Sequence, residues 1–380
     1  MVRNEEITSK VSRLHEYDVA GCAHYMAPTL LHVALLSCGQ SEAVELPECL
    51  PFGGEWGEND SVAFMDDSFH HLPLGVHIIY LSVIERKFYM VNDSLPQACI
   101  CKLWEHTNPD TGELLYDKVI VGMAPYGGVA VWLFGLDKET LISWTHGREM
   151  DISMEQFLPY NPDATLSDVC RFYINSDPCV RENLRKNGLP PRDLFDNYMK
   201  QFTYRYQVMF GQWDEENKTW SLDCKSSQTE NQFLQAGDTD SGAAATPQFE
   251  LDYIEEALFD GTHDKLHDGG LMKYHEAGKP KKLAVKWHAG KREWTAYFWF
   301  EGEEIRRVFD RFYGAHPETK TDFIIRIDPE KDKYELALFR YGLPEPHVIP
   351  EKVFQLLVFR NKFECYRSYN YNQERGAWIW

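Results

Sequence analysis

No run in the 380-residue chain approaches the roughly 18 consecutive apolar residues that a membrane-spanning helix requires. The segment Met1–Tyr17 carries Glu5, Glu6 and Glu16 among several basic residues, which is unlike a secretory signal. Val19-Ala20-Gly21-Cys22 has the form of a lipoprotein cleavage box, yet the polar stretch Ser9–Glu16 stands where an apolar segment should precede it. Cys22 is therefore read as a buried strand cysteine. A cytoplasmic protein is expected from the chain as given, and a periplasmic or lipid-anchored one only if a native signal is missing from it.

Cysteine pairing motifs are absent as well. Nine cysteines stand at irregular spacing with no C-x-x-C, which leaves zinc ribbons and thioredoxin-type redox sites unsupported. They are expected to be reduced core residues, with Cys99 and Cys101 on one face of a strand by simple alternation. Basic residues are few: the formal net charge is −20, and the compact basic runs, Lys279–Lys282 and Arg181–Lys186, are short and interrupted. A nucleic-acid partner, which needs a basic stripe, is disfavoured. No P-loop, no G-x-S-x-G elbow and no G-x-G-x-x-G after a strand occurs, so no catalytic residue is assigned and no cofactor is expected.

Aromatic residues, in contrast, are plentiful at 14%, including 11 Trp and 20 Tyr. Such side chains suit sheet cores and binding surfaces alike, because each joins a large apolar body to a polar atom. Most of them fall in strand patterns. Gly75–Ile84 is almost continuously apolar and β-branched. Asp117–Met123 and Gly127–Gly135 flank Ala124-Pro125-Tyr126, which reads as a hairpin turn. Helical signals take over from Leu166 to Phe202. Asp177-Pro178 is an N-cap with Pro at the first helical position, and Gly188 is a stop. Leu251, Ile254 and Leu258 give the spacing of a short amphipathic helix ending at Gly261. Further on, 283–288 and 294–301 read as a pair of strands, as do 322–328 with 333–340 and 353–360 with 363–368. Between the first two pairs, Ile305, Val308, Phe309 and Phe312 form a helix stripe closed by Gly314.

These patterns predict an α+β protein of predominantly antiparallel β-sheets with a few packed helices. Its parts are an N-terminal β-rich region (1–165), a helical connector (166–205) and a C-terminal α+β region (206–380) containing a flexible loop at 225–248. The terminal Trp378-Ile379-Trp380 is expected to close the C-terminal sheet.

Three segments resemble an uncharacterised bacterial family, the domain-of-unknown-function family numbered 2931. The first is Leu72–Gly75 running into Tyr80, Glu85, Lys87-Phe88-Tyr89 and Leu95-Pro96. The second is Val119–Gly128 with Trp132 and Gly135, and the third is Phe309–Gly314 with Asp322–Asp328. Members are often described as lipoproteins, and some occur near interbacterial toxin systems. The resemblance thus implies a non-enzymatic protein-interaction role, as a toxin-immunity or accessory protein with a toxin or effector as partner.

One local cluster carries a competing expectation. His263 and His267 lie four residues apart in His263–Gly270, with His275 beyond. On a helix the first two would share a face and could ligate a transition metal through neutral imidazoles, giving a metal-dependent hydrolase. The flanking Gly261 and Gly269-Gly270 instead favour a loop or single turn, and the segment lacks the glutamate of H-E-x-x-H.

Overall fold

The computed structural model describes residues 14–24, 26–38, 42–45, 56–57, 69–107, 112–135, 138–222, 249–361 and 364–369. The polar loop 225–248 and the terminal Trp-Ile-Trp lie outside the described residues. The chain divides into two compact units. Unit 1 runs to Met199 and takes in Phe259–His263, and unit 2 comprises Lys200–Leu258 and Asp264–Trp378. The helical stretch expected as a connector thus belongs to unit 1 as far as Met199.

Unit 1 opens with β1 (Leu14–Glu16), β2 (Asp18–Ala23), β3 (Thr29–Cys38) and β4 (Glu42–Glu45). After β5 (Phe69–His71) come β6 (Pro73–Ser82), β7 (Lys87–Ser94) and helix α1 (Gln97–Trp104). Then follow β8 (Lys118–Met123), β9 (Gly128–Phe134), β10 (Lys138–His146) and β11 (Arg148–Met150). Two layers result, one with order β11-β7-β6-β3-β4 and the other built on β2-β8-β9-β10. Their inward residues form one core: Leu36, Val76, Ile78, Tyr80 and Val91 from the first layer, Val119, Val121, Val129, Val131 and Leu133 from the second. The apolar run read at 75–84 is the central strand β6. Every residue of β8 is buried, as in a strand covered on both faces.

The outer face of the first layer is covered by helices. Leu81, Val83 and Phe88 pack with Phe157 of α2 (Met154–Phe157) and Cys170 of α3 (Leu166–Ser176). Asp177 caps α4 (Pro178–Asn187) through the N–H groups of Cys179 and Val180, and Gly188 ends it with φ 74°. Helix α5 (Leu194–Met199) buries Phe195, Tyr198 and Met199.

Unit 2 is also layered. One sheet has order β13-β12-β19-β20-β21, with β12 (Phe202–Asp214), β13 (Thr219–Leu222), β19 (Thr321–Asp328), β20 (Lys333–Phe339) and β21 (His347–Val348). The short strand β16 (His275–Ala277) adds to β12. The other layer contains the run β14-β17-β18-β22-β23: β14 (Glu250–Leu258), β17 (Pro280–Ala289), β18 (Arg292–Phe300), β22 (Phe354–Arg360) and β23 (Glu364–Tyr369). The remaining strand is β15 (His263–Leu266), and the helices are α6 (Asp268–Leu271) and α7 (Gly302–Tyr313). Aromatic rings join the layers, as where Tyr334 meets Phe298 and Trp287, each at 6.4 Å between centroids. Helix α7 docks on β12 and β19. Phe309 is fully buried, 5.1 Å from Phe202 and 6.5 Å from Phe323.

The sheet-dominated α+β class holds, with β2 and β8, and β12 and β19, paired in parallel among mostly antiparallel strands. Three local readings are corrected. Residues 250–258 are strand β14, not a helix: Ile254, Glu256 and Leu258 point inward by simple alternation, and a charged residue at the middle inward position hides the pattern. His263–Leu266 is likewise a strand and not a turn. Cys99 and Cys101 lie on helix α1, one exposed and one buried, rather than on one face of a strand. Cys22 is in β2 and fully buried, and burial pushes its thiol up to about 12.

Candidate functional site

The two family-like motifs of the N-terminal region meet at one turn of unit 1. Between β8 and β9 the chain reverses through Pro125-Tyr126-Gly127, where Tyr126 has φ 62° and ψ 25°. That left-handed conformation is rare for a residue with a side chain and costs of order 1–3 kcal/mol. It persists because the surroundings over-determine it. The Tyr126 N–H donates to Oε2 of Glu85 at 2.7 Å, and the Tyr89 hydroxyl donates to Oε1 of the same carboxylate at 2.9 Å. Tyr80, fully buried in β6, donates to the Ala124 carbonyl at 2.6 Å, with the Gly128 carbonyl at 3.2 Å. The Tyr126 hydroxyl donates to the Pro190 carbonyl at 2.7 Å.

The glycines have steric reasons. Gly127 has φ 85°, and a side chain there would meet the Gly147 carbonyl. At Gly128 a Cβ would come within 2.2 Å of the Trp144 ring. The close approach seats Trp144 of β10 directly on the turn.

A polar rim follows from β10 and the helical stretch. The Trp144 indole N–H donates to Oδ1 of Asp196 at 2.9 Å, and Nε2 of His146 lies 2.7 Å from the same oxygen. Nδ1 of His146 lies 3.4 Å from the Tyr126 carbonyl, and the Arg192 guanidinium stacks over the Tyr126 ring at 5.5 Å. All three tyrosines are held well into the protonated range. Burial is the main cause for each, with the Glu85 charge adding to it. They act as neutral hydrogen-bond donors, and their partners hold them in fixed directions.

The arrangement can present a rigid aromatic and cationic surface. Its carboxylates are engaged by N–H and O–H donors, and among the described residues no hydroxyl or thiol stands against His146 as a nucleophile would. No local motif of the sequence marks His146, Asp196 or Arg192. Asp196 is fifty positions away and Glu85 is 41 positions before Tyr126, so no local spacing links them. The legible signal was the Tyr-Gly-Gly turn itself.

The three candidate metal ligands are placed differently. His263 begins β15, His267 precedes α6, and His275 opens β16, so His263 and His267 share no helix face. His267 packs against the ring of Tyr253 at 6.0 Å. His275 turns Nε2 toward Oε1 of Glu256 at 3.5 Å and Nδ1 toward the Lys273 carbonyl at 3.3 Å. Among the described residues no group of three or more His, Cys, Asp or Glu is placed to hold a metal ion. Unit 2 also has a cleft of about 210 Å³ between Lys331, Lys333, Tyr334, Glu351 and Phe354. Its lysines are spent internally, Lys331 on the Trp213 carbonyl and Lys333 on Glu351 at 2.8 Å.

The fold and the turn together describe a sheet-dominated α+β protein with a preorganised surface site. Residues 44–187 match the family described as "Protein of unknown function (DUF2931)". Tyr80, Glu85, Tyr89, Tyr126, Trp144 and His146 fall within the match, whereas Pro190, Arg192 and Asp196 lie just beyond it. The third segment read as family-like, Phe309–Asp328, is outside the matched residues. No curated protein and no solved structure matches the chain.

Proposed function

We propose that this chain is a non-enzymatic protein-binding protein whose contact surface is built around the Tyr126 turn. The carrying observation is the left-handed backbone at Tyr126, held by Glu85, Tyr80 and Pro190 and surrounded by Trp144, His146 and Arg192. Tyr, Trp and Arg are the residue types that dominate binding hot spots. A surface fixed before binding loses little conformational freedom on contact, which favours affinity. Strain retained in a non-glycine turn is also typical of functional positions. An immunity or accessory role toward a toxin or effector is the narrower form of this proposal, and it rests on the family resemblance.

Affinity capture from the native host, followed by binding with purified components, tests the reading. A partner should bind the full chain directly and lose at least tenfold in affinity with Trp144→Ala and Arg192→Ala. Undiminished binding by both variants would remove the surface from this turn. Turnover of a small substrate without any stable partner would overturn the binding role altogether.

A further inference from the structure

Glu256 is a buried carboxylate in unit 2. It sits at an inward position of β14 with its side chain 2% exposed. The Tyr206 hydroxyl donates to Oε2 at 2.6 Å, and Nε2 of His275 lies 3.5 Å from Oε1. A carboxylate held away from water needs a compensating charge or full hydrogen bonding. Tyr206 supplies a neutral donor, and burial with the Glu256 charge keeps it protonated. The side chain placed to answer that charge is His275, and imidazole is the side chain that changes charge near neutral pH.

The position of His275 makes that charge mechanically relevant. Its residue opens β16, a strand of three residues that pairs with β12 through Phe202, Thr203 and Tyr204. Its ring lies against Tyr204 at 5.3 Å and Tyr206 at 6.4 Å, with Nε2 buried on the Glu256 side while the side chain as a whole is 30% exposed. We propose that His275 and Glu256 form a proton-dependent clasp that holds β16 on the edge of β12. With the ring protonated, the ion pair closes over the buried carboxylate. When the proton leaves to water, Glu256 keeps its charge without a cation, and the strand is held less tightly. Release of β16 bares the edge of β12 at Phe202 and Tyr204, to which another strand can add, while the Thr203 N–H stays on the Pro317 carbonyl.

The groups facing the ring agree with this direction. Burial alone would lower the pKa of His275, but the nearby Glu256 carboxylate outweighs it, aided by the Lys273 carbonyl and by Asp264 of β15, so the net shift is upward. Tyr204 and Tyr206 contribute no charge. A second hold next to the clasp is insensitive to neutral pH: Arg205 donates to Asp322 at 2.6 Å, and Tyr274 donates to the same oxygen at 3.0 Å. The pH step therefore adds to a constant attachment, and the opening it controls is local.

Hydrogen exchange on the full chain tests the clasp. Protection of residues 268–278, corrected for the intrinsic pH dependence of exchange, is followed from pH 5.5 to 9 with strand β19 as internal reference. Protection should fall about tenfold for each unit by which the His275 pKa in the folded protein exceeds that of an ordinary imidazole. The step should disappear in Glu256→Gln, which keeps the shape of the side chain and removes its charge. A step unchanged in Glu256→Gln, or no step in the wild-type chain, would overturn the proposal. An NMR titration of the His275 ring in the wild-type chain decides the matter even if the variant misfolds, because a midpoint at or below the ordinary imidazole value is equally fatal.

Discussion

Glu85 in unit 1 and Glu256 in unit 2 solve similar problems with different donors. Each accepts a tyrosine hydroxyl on one oxygen, from Tyr89 at 2.9 Å and from Tyr206 at 2.6 Å. On the other oxygen Glu85 takes the backbone N–H of Tyr126, whereas Glu256 faces the ring of His275. A backbone N–H never titrates, so the bond by which Glu85 holds the Tyr126 turn has no donor proton to lose in the neutral range. An imidazole does titrate, so the Glu256 cluster is not. The comparison teaches that a carboxylate used to fix backbone geometry becomes a sensor or a plain brace according to its second donor.

The sharpest way to break the comparison is to remove the carboxylates. Glu256→Ala leaves the Tyr206 hydroxyl buried and His275 unpaired, and should cost about 3–5 kcal/mol. Glu85→Ala exposes the Tyr126 N–H and the Tyr89 hydroxyl at a half-buried site, and should cost only about 1–2 kcal/mol. Urea denaturation of the two variants measures both. Equal losses would mean that burial does not distinguish the two sites.

Core packing supplies a calibration between those values. Phe309→Ala on α7 should cost about 3–5 kcal/mol, because the ring is fully buried among Phe202, Phe323 and Tyr313. Arg307, 61% exposed and paired along its own helix with Glu303 and Glu304, should be nearly silent when changed to Ala. Melting temperatures that match for the two variants would show that unit 2 does not depend on this helix.

What could be read from the chain follows the range of the interaction involved. The hairpin at Ala124–Gly128, the α4 cap at Asp177-Pro178 and the α7 stripe ending at Gly314 are written in neighbouring residues, and each appeared where it was expected. Strand β14 was misread because Leu251, Ile254 and Leu258 also satisfy helical spacing. The residue that would have betrayed alternation, Glu256, is an acid turned inward. The acid that obscured the strand is the centre of the clasp. Similarly, Glu85 and Asp196 reach their partners only through the tertiary fold. The residues of the Tyr126 turn were visible, but what holds them was not.

The smallest expected effect is the pH dependence itself, and its sign is fixed by the direction of the His275 shift. The folded-state pKa is raised above the unfolded one. The contribution is therefore fully present below the ordinary imidazole value of about 6.5 and is lost as pH rises through the raised native value. Wild type and His275→Gln should differ most in unfolding free energy near pH 6 and converge toward pH 9. Comparing the pair at each pH cancels the other titrating groups, which both chains share. Glu85→Gln should leave that convergence untouched, since its donors keep their protons throughout. Glu256→Gln should flatten it, because the glutamine carries no charge to hold a proton on the ring. A difference that widens with pH would mean that burial, and not the carboxylate, governs His275, and the contrast drawn between the two glutamates would fail.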